Sequence, residues 1–251
     1  MSEALFTIRG LVKNYGDKVV LAGLDFDVLR GECLVILGGS GSGKSVTLRQ
    51  LNGLEQPDAG TVIFDGIEIS SLDEHDLYPI RQRIAMLFQG GALFDSMNVF
   101  DNVAFPLRQH SGLGEAAIRA KVAEKLDMVR LSGVEEKMPA DLSGGMKKRV
   151  ALARSLAVEP EVVLFDEPTT GLDPRIAATI ASLIRGTHEI VGATSVVVTH
   201  DLTLARRVGD RVAFLCGGRF RFIGTWAAAD ACDDPELTAF LAGREEVENA
   251  A

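Results

Sequence analysis

The chain has 251 residues, 47% of them apolar and 24% charged, a mixture that suits one large globular domain or two lobes and argues against wholesale disorder. Its formal net charge of −9 repels a phosphodiester backbone, so nucleic acid is a poor partner. Three cysteines, Cys33, Cys216 and Cys232, lack metal-ligand spacing and read as free thiols of a reducing compartment.

The first third reads as short strands joined by tight turns. LFTIRGLV (5–12), VLAGLDFDVL (20–29) and ECLVILG (32–38) are rich in β-branched and aliphatic residues and are punctuated by glycine. TVIFDGIEI (61–69) holds an Asp65-Gly66 pair between apolar runs, the signal of a hairpin. Residues 98–131 and 143–158 read as helical. In the second of these, Met146, Val150, Ala153 and Ala157 share a face, while Lys147, Lys148 and Arg149 point elsewhere. Apolar strands then alternate with helices: EVVLFD (161–166), a helix opened by Asp173-Pro174, TSVVVT (194–199), the helical DLTLARRV (201–208), and RVAFLC (211–216). That alternation predicts an α/β core with a largely parallel sheet, interrupted by a helical insertion over roughly residues 90–158.

The N-terminus has no basic stretch followed by an apolar one, and the apolar runs fall far short of the ~18 residues of a membrane span. The expectation is a soluble, cytoplasmic chain that something else must anchor if it works at a membrane.

Residues 38–45 read GGSGSGKS, a complete G-x-x-x-x-G-K-[ST] match set between the strand ECLVILG and the helical KSVTLRQLNGL. Glycines let backbone N–H groups approach phosphate oxygens closely. The helix starting near Lys44 aims its positive end at the same phosphates. Gly38, Gly39, Ser40, Gly41, Ser42, Gly43, Lys44, Ser45 and Val46 are therefore the predicted nucleotide-binding run. Lys44 supplies charge at the β- and γ-phosphates, and the Ser45 hydroxyl is a ligand for Mg²⁺. The loop is built for a nucleoside triphosphate.

VVLFDEPTTGLD (162–173) supplies the matching acids. Asp166 ends an apolar strand, where a carboxylate can reach a Mg²⁺ shell. Glu167 follows, placed to polarise a water for attack on the γ-phosphate. In LSGGM (142–146), Ser143, Gly144 and Gly145 open a helix and form a second anion grip, which makes sense if it serves the nucleotide of another chain.

Together these motifs resemble the ATP-binding cassette ATPases of ABC transporters. GGSGSGKS looks like Walker A, VVLFDE like Walker B with its glutamate, and LSGGM like the ABC signature, in the family's order over roughly residues 5–230. The resemblance implies a RecA-like P-loop NTPase core with a mostly parallel sheet, an N-terminal antiparallel β subdomain and an inserted helical subdomain. It implies a single domain over 5–242 and a polar tail over 243–251. Tyr15 matches the aromatic that stacks on adenine. Gln89 matches the glutamine that touches Mg²⁺ and the attacking water, and His200 matches the histidine that contacts the γ-phosphate. TTGLD resembles the D-loop, with Asp173 at the dimer seam. The implied machine is a dimer of two such chains that sandwiches two ATP molecules and passes motion to integral permease subunits.

The segment FQGGALFDSMNVFDNVAFPL (88–107) and the methionine of LSGGM resemble the Mla- and Mce-associated ATPases, which power phospholipid or hydrophobic-compound traffic in the bacterial envelope. That likeness implies a peripheral place on the cytoplasmic face of the inner membrane. It also implies an Mce-type substrate-binding subunit and a small regulatory subunit as partners. Gly90 departs from the serine expected after the glutamine, and the tail keeps part of the usual pattern. Leu93, Phe94 and Met97 are the apolar residues expected to face the permease. The alternative within the class is an importer of amino acids or another small polar solute. Only 98 positions (143 − 45) separate Ser45 from Ser143, too few for the long coiled coil of DNA-maintenance cassettes.

Overall fold

The computed structural model of the protein describes residues 3–244, the side chains of residues 188–191 excepted; residues 245–251 of the expected polar tail lie outside the described residues. In chain order the elements begin with β1 (Ala4–Tyr15), β2 (Lys18–Leu29), β3 (Cys33–Leu37), α1 (Lys44–Leu51), β4 (Ala59–Phe64), β5 (Ile67–Glu68), α2 (Glu74–Arg83) and β6 (Ile84–Leu87). They continue with α3 (Val99–His110), α4 (Glu115–Met128), α5 (Gly144–Leu156), β7 (Val162–Asp166), α6 (Pro174–Val191) and β8 (Thr194–Thr199). The chain closes with α7 (Leu202–Val208), β9 (Arg211–Cys216), β10 (Arg219–Gly224), α8 (Trp226–Asp230) and α9 (Pro235–Leu241).

Two compact units emerge, residues 1–77 with 196–251, and residues 78–195. In the first unit, β1 pairs antiparallel with both β2 and β4, and β4 pairs antiparallel with β5. Phe6 and Ile8 alternate into the core, and a register shift between Ile8 and Leu11 brings Leu11 to the same buried side; Phe6 packs against Phe64 of β4 with the ring centroids 4.8 Å apart. The β4–β5 turn is the Asp65-Gly66 pair, and both residues adopt positive φ, 51° and 79°, as a tight hairpin turn of that type requires.

β3 pairs in parallel with β9, and β9 pairs antiparallel with β10. All five β3 residues are buried, which is why the run is apolar throughout and not alternating. Its start is held by the Asp210 carboxylate, which accepts from the Cys33 amide at 2.9 Å.

In the second unit β6 and β7 pair in parallel. β7 is buried at every position from Val162 to Asp166. Helices α3, α4 and α5 follow one another here, and a turn over 111–114 splits the helical stretch expected over 98–131 into α3 and α4. Of the face that the sequence pattern predicts, α5 buries Val150 and Ala153, Ala157 is buried at its C-cap, and Met146 is half-buried. Lys148 differs from the expectation: it is buried rather than turned away, because backbone carbonyls inside the unit receive its ammonium. β8 carries the chain from the second unit back into the first.

Candidate functional site

Gly38–Ser45 join β3 to α1 in the first unit. Gly43 caps α1 with φ 104°, where a side chain is strained, and a Cβ there would lie 2.7 Å from Leu21 Cδ2. A glycine cap offers no side-chain acceptor to the first turn of α1, and a helix start of this kind suits an anion. A Cβ at Gly38 would lie 2.4 Å from the Leu215 carbonyl oxygen, so the start of the loop is also fixed as glycine by close packing. Lys44 is buried, and its ammonium donates to the carbonyls of Gly38 and Gly39, both at 2.9 Å, which folds the loop around the charge. The Ser42 hydroxyl is buried with no hydrogen-bond partner among the described residues. Gly39, Ser40, Gly41 and Ser42 open onto a cavity of about 270 Å³ that Lys18 and Val19 also line. A glycine-capped helix start, an ammonium and an orphaned hydroxyl form a donor set that fits an anionic phosphate chain. Ser45 and Val46 fall in the first turn of α1.

Two further residues stand in the same unit. Tyr15 ends β1 with 44% of its surface exposed, its hydroxyl bonded to the Glu55 carboxylate and the Lys13 ammonium 5.9 Å from its ring centroid. Burial, ahead of the Glu55 hydrogen bond, raises the tyrosine's pKa, so the phenol stays neutral. His200 is exposed at the end of β8, immediately before Asp201, which caps α7 by accepting from the Thr203 and Leu204 amides.

The second unit holds the acids and the signature. Asp166 ends β7, and Glu167 follows with φ 46°; both are 8% exposed. The left-handed backbone is uncommon for a glutamate and is sustained here by the turn that follows. Thr170 N donates to Glu167 O at 3.2 Å, and Thr170 Oγ1 donates to Glu167 Oε2 at 3.3 Å. Asp173 caps α6 by accepting from the Arg175 and Ile176 amides at 3.0 and 3.1 Å. Ser143 caps α5, its hydroxyl accepting from Met146 N at 3.3 Å, and Ser143 and Gly144 are exposed. Gly145 is buried because α6 lies against it: a Cβ would sit 2.5 Å from Ile176 Cγ2.

Gln89 is exposed just after β6. Beyond it, residues 88–98 have no helix or strand and are shaped by Asn102 of α3, which is fully buried. An apolar groove of about 520 Å³ opens beside this segment, lined by Met86, Phe88, Phe94, Phe105 and Pro106 among others, with Arg154 at its wall. Phe94 is 41% exposed, while Leu93 and Met97 are half-buried, so of the three expected apolar contact residues Phe94 is the one most open to a partner. The Arg154 guanidinium lies 5.4 Å from the Phe94 centroid and donates to Gly91 O at 3.1 Å.

The sequence motifs thus fall into two sets. Tyr15, residues 38–46 and His200 lie in the first unit; Gln89, Ser143–Gly145, Asp166, Glu167 and Asp173 lie in the second. Lys148, Thr170 and Asn102 shape the second set and were missed by motif reading.

A phosphate-cradling loop between a buried strand and a helix, in an α/β chain that also carries an Asp-Glu strand end and a serine-capped glycine helix, defines a P-loop ATPase. The chain belongs to the ABC transporter family, whose model matches residues 21–170. It is an ATP-binding, ATP-hydrolysing cassette of that family. It is 39% identical over 246 residues to the intermembrane phospholipid transport system ATP-binding protein MlaF of Haemophilus influenzae, covering 98% of this chain and 93% of that one. It is 42% identical over 237 residues to a probable ribonucleotide transport ATP-binding protein, mkl, of Mycobacterium leprae, covering 94% of this chain and 68% of that longer one. Among solved structures, the ATP-binding cassette MJ0796, a dimer in a post-hydrolysis state bound to ADP and Pi, matches with a TM-score of 0.81 and 32% identity over 88% of this chain and 98% of that one. Among the described residues, no helix is long and apolar enough to cross a membrane.

Proposed function

We propose that this protein is the ATPase subunit of an ABC transporter that moves phospholipid or a related hydrophobic compound across a bacterial envelope. The likeness to MlaF over nearly the full length of both chains carries this reading. The alternative, an importer of small polar solutes, finds support only in the likeness to the Mycobacterium ribonucleotide transport protein and is not favoured.

In this reading the chain forms one domain over 5–242. Two copies close head to tail on two ATP molecules. Tyr15 stacks on adenine. Lys44 and the amides of Gly39–Ser45 bind the β- and γ-phosphates. Ser143, Gly144 and Gly145 of a second copy cap the same γ-phosphate with first-turn amides and a hydroxyl. Glu167 holds the attacking water through its carboxylate and takes up its proton, and His200 and Gln89 orient the γ-phosphate and water. The Ser45 hydroxyl, the Asp166 carboxylate and the Gln89 amide carbonyl are oxygen donors suited to Mg²⁺, which when bound neutralises charge on the phosphate oxygens. Permease subunits dock their cytoplasmic segment in the groove around Phe94, which holds the chain on the cytoplasmic face of the inner membrane. An Mce-type subunit and a small regulatory subunit complete the assembly. Exposed apolar side chains gathered in one groove support the docking surface.

A deletion strain tests the cargo. The expected outcome is phospholipid accumulating in the outer leaflet of the outer membrane, with sensitivity to detergent. Normal envelope lipids together with failed uptake of a polar solute would assign the protein to the solute importers.

A further inference from the structure

Lys148 lies in the second turn of α5, just beyond the signature residues, and is only 7% exposed. Its ammonium donates to the carbonyl oxygens of Pro168 at 2.9 Å and Thr170 at 2.7 Å. Those two carbonyls flank Thr169 in the turn that follows Glu167. The same turn is closed by Thr170 N donating to Glu167 O and by Leu172 N donating to Thr169 O, each at 3.2 Å. Thr170 then reaches back with its hydroxyl to the Glu167 carboxylate.

Burying an ammonium is costly unless its protons are received, and a lysine this close to a helix surface could extend to solvent instead. Two short bonds to carbonyls of one turn are therefore a directed arrangement. A left-handed glutamate persists only where its surroundings over-determine it. The hydrogen bonds on either side of Thr169 supply that determination: the ammonium fixes the far side of the turn, and Thr170 fixes the carboxylate.

We infer that Lys148 is a positioning residue for ATP hydrolysis, holding the Pro168–Thr170 turn through its two carbonyls so that the Glu167 carboxylate stays aimed at the water. The inference rests on Glu167 as the base proposed above. Because Lys148 and the signature amides share α5, the same helix that grips one nucleotide sets the glutamate of its own chain. Burial lowers the lysine's pKa, and the Glu167 carboxylate opposes that shift.

The test uses the full chain assembled with its membrane partners. Lys148→Met removes the donors at similar length, and Lys148→Arg keeps a cation with several donors. Turnover, KM for ATP, nucleotide affinity and Tm are measured for each, alone and combined with Glu167→Gln. A misplaced carboxylate costs rate and not binding. Lys148→Met is thus expected to lower kcat by roughly tenfold to a hundredfold while KM and affinity stay within about twofold, with Lys148→Arg recovering part of the loss. In the Glu167→Gln background, Lys148→Met should remove little further rate, because there is no carboxylate left to aim. Wild-type turnover in Lys148→Met overturns the inference, and so do losses that multiply fully with Glu167→Gln. Undiminished turnover in Glu167→Gln alone would instead remove the base assignment, and the inference with it.

Discussion

Asn102 and Phe94 are tied by a reciprocal pair of hydrogen bonds: Asn102 Oδ1 accepts from the Phe94 amide at 2.8 Å, and Asn102 Nδ2 donates to the Phe94 carbonyl at 3.1 Å. The same Nδ2 also donates to the carbonyls of Met97 and Asn98, both at 3.0 Å. One fully buried amide therefore satisfies four backbone groups of a segment that has no ladder or helix of its own. Asn102→Leu takes this partner from the Phe94 amide and the Met97 carbonyl, whereas the Phe94 and Asn98 carbonyls still accept from the backbone amides of Met97 and Asn102. The expected cost is about 3 kcal/mol, read as a lower Tm, with the larger effect on capture by the permease, because Phe94 and Met97 lose their fixed presentation. Unchanged Tm and unchanged co-purification would show that the segment holds its shape without the amide.

Phe94 itself tests the docking groove. Its ring packs against Phe105 at 4.9 Å and against the Arg154 guanidinium, yet remains 41% exposed. Phe94→Asp puts a carboxylate where an apolar partner surface would bury it. Membrane fractionation should show the chain released to the soluble fraction, while nucleotide affinity of the purified chain stays within about twofold, since the change leaves the phosphate loop untouched. Retention at the membrane would place the permease elsewhere on the surface.

The base assignment has its own signature. Glu167→Gln keeps the size and the hydrogen bond from Thr170 but cannot take a proton from water. Turnover should fall by roughly a hundredfold or more, with ATP still bound. Lys44→Ala, which removes the charge at the phosphates, should instead raise KM. Near-normal hydrolysis by purified Glu167→Gln in its transporter complex would reassign the base.

Much of this molecule is legible in the sequence where one short stretch carries the whole signal. The phosphate loop is contiguous, so strand, glycines and lysine read directly. Asp65-Gly66 reads as a hairpin because both residues tolerate positive φ. β10 was also within reach: RFRFIG alternates with period two after Gly217-Gly218, and both glycines adopt positive φ. α2 was not, since its composition is polar and Pro79 lies inside it. Lys148 and Asn102 were out of reach for a different reason. Lys148 acts on carbonyls 20 and 22 residues away, and a lysine in a run of cations looks solvated until the fold brings those carbonyls to it. Asn102 looks like any polar residue on a helix; its partners are backbone groups that carry no mark in the sequence.

The composite arrangement of two chains makes a prediction that single-chain defects cannot mimic. Ser143 is exposed at the N-terminus of α5, and its hydroxyl caps its own helix. If it also meets the γ-phosphate bound by the Lys44 of another copy, Ser143→Arg blocks closure by bulk at that shared site, beyond the loss of about 1 kcal/mol for the cap. Mixed dimers carrying one Ser143→Arg and one Lys44→Ala separate the possibilities. With the two changes on opposite chains, both fall in one composite site and the other is intact. With both on one chain, each site carries one lesion. The opposite-chain dimer should therefore keep a measurable share of wild-type ATPase activity, up to roughly half if the sites fire independently, and the same-chain dimer should keep almost none. Equal rates from the two dimers would mean that each chain hydrolyses ATP without the other's signature helix.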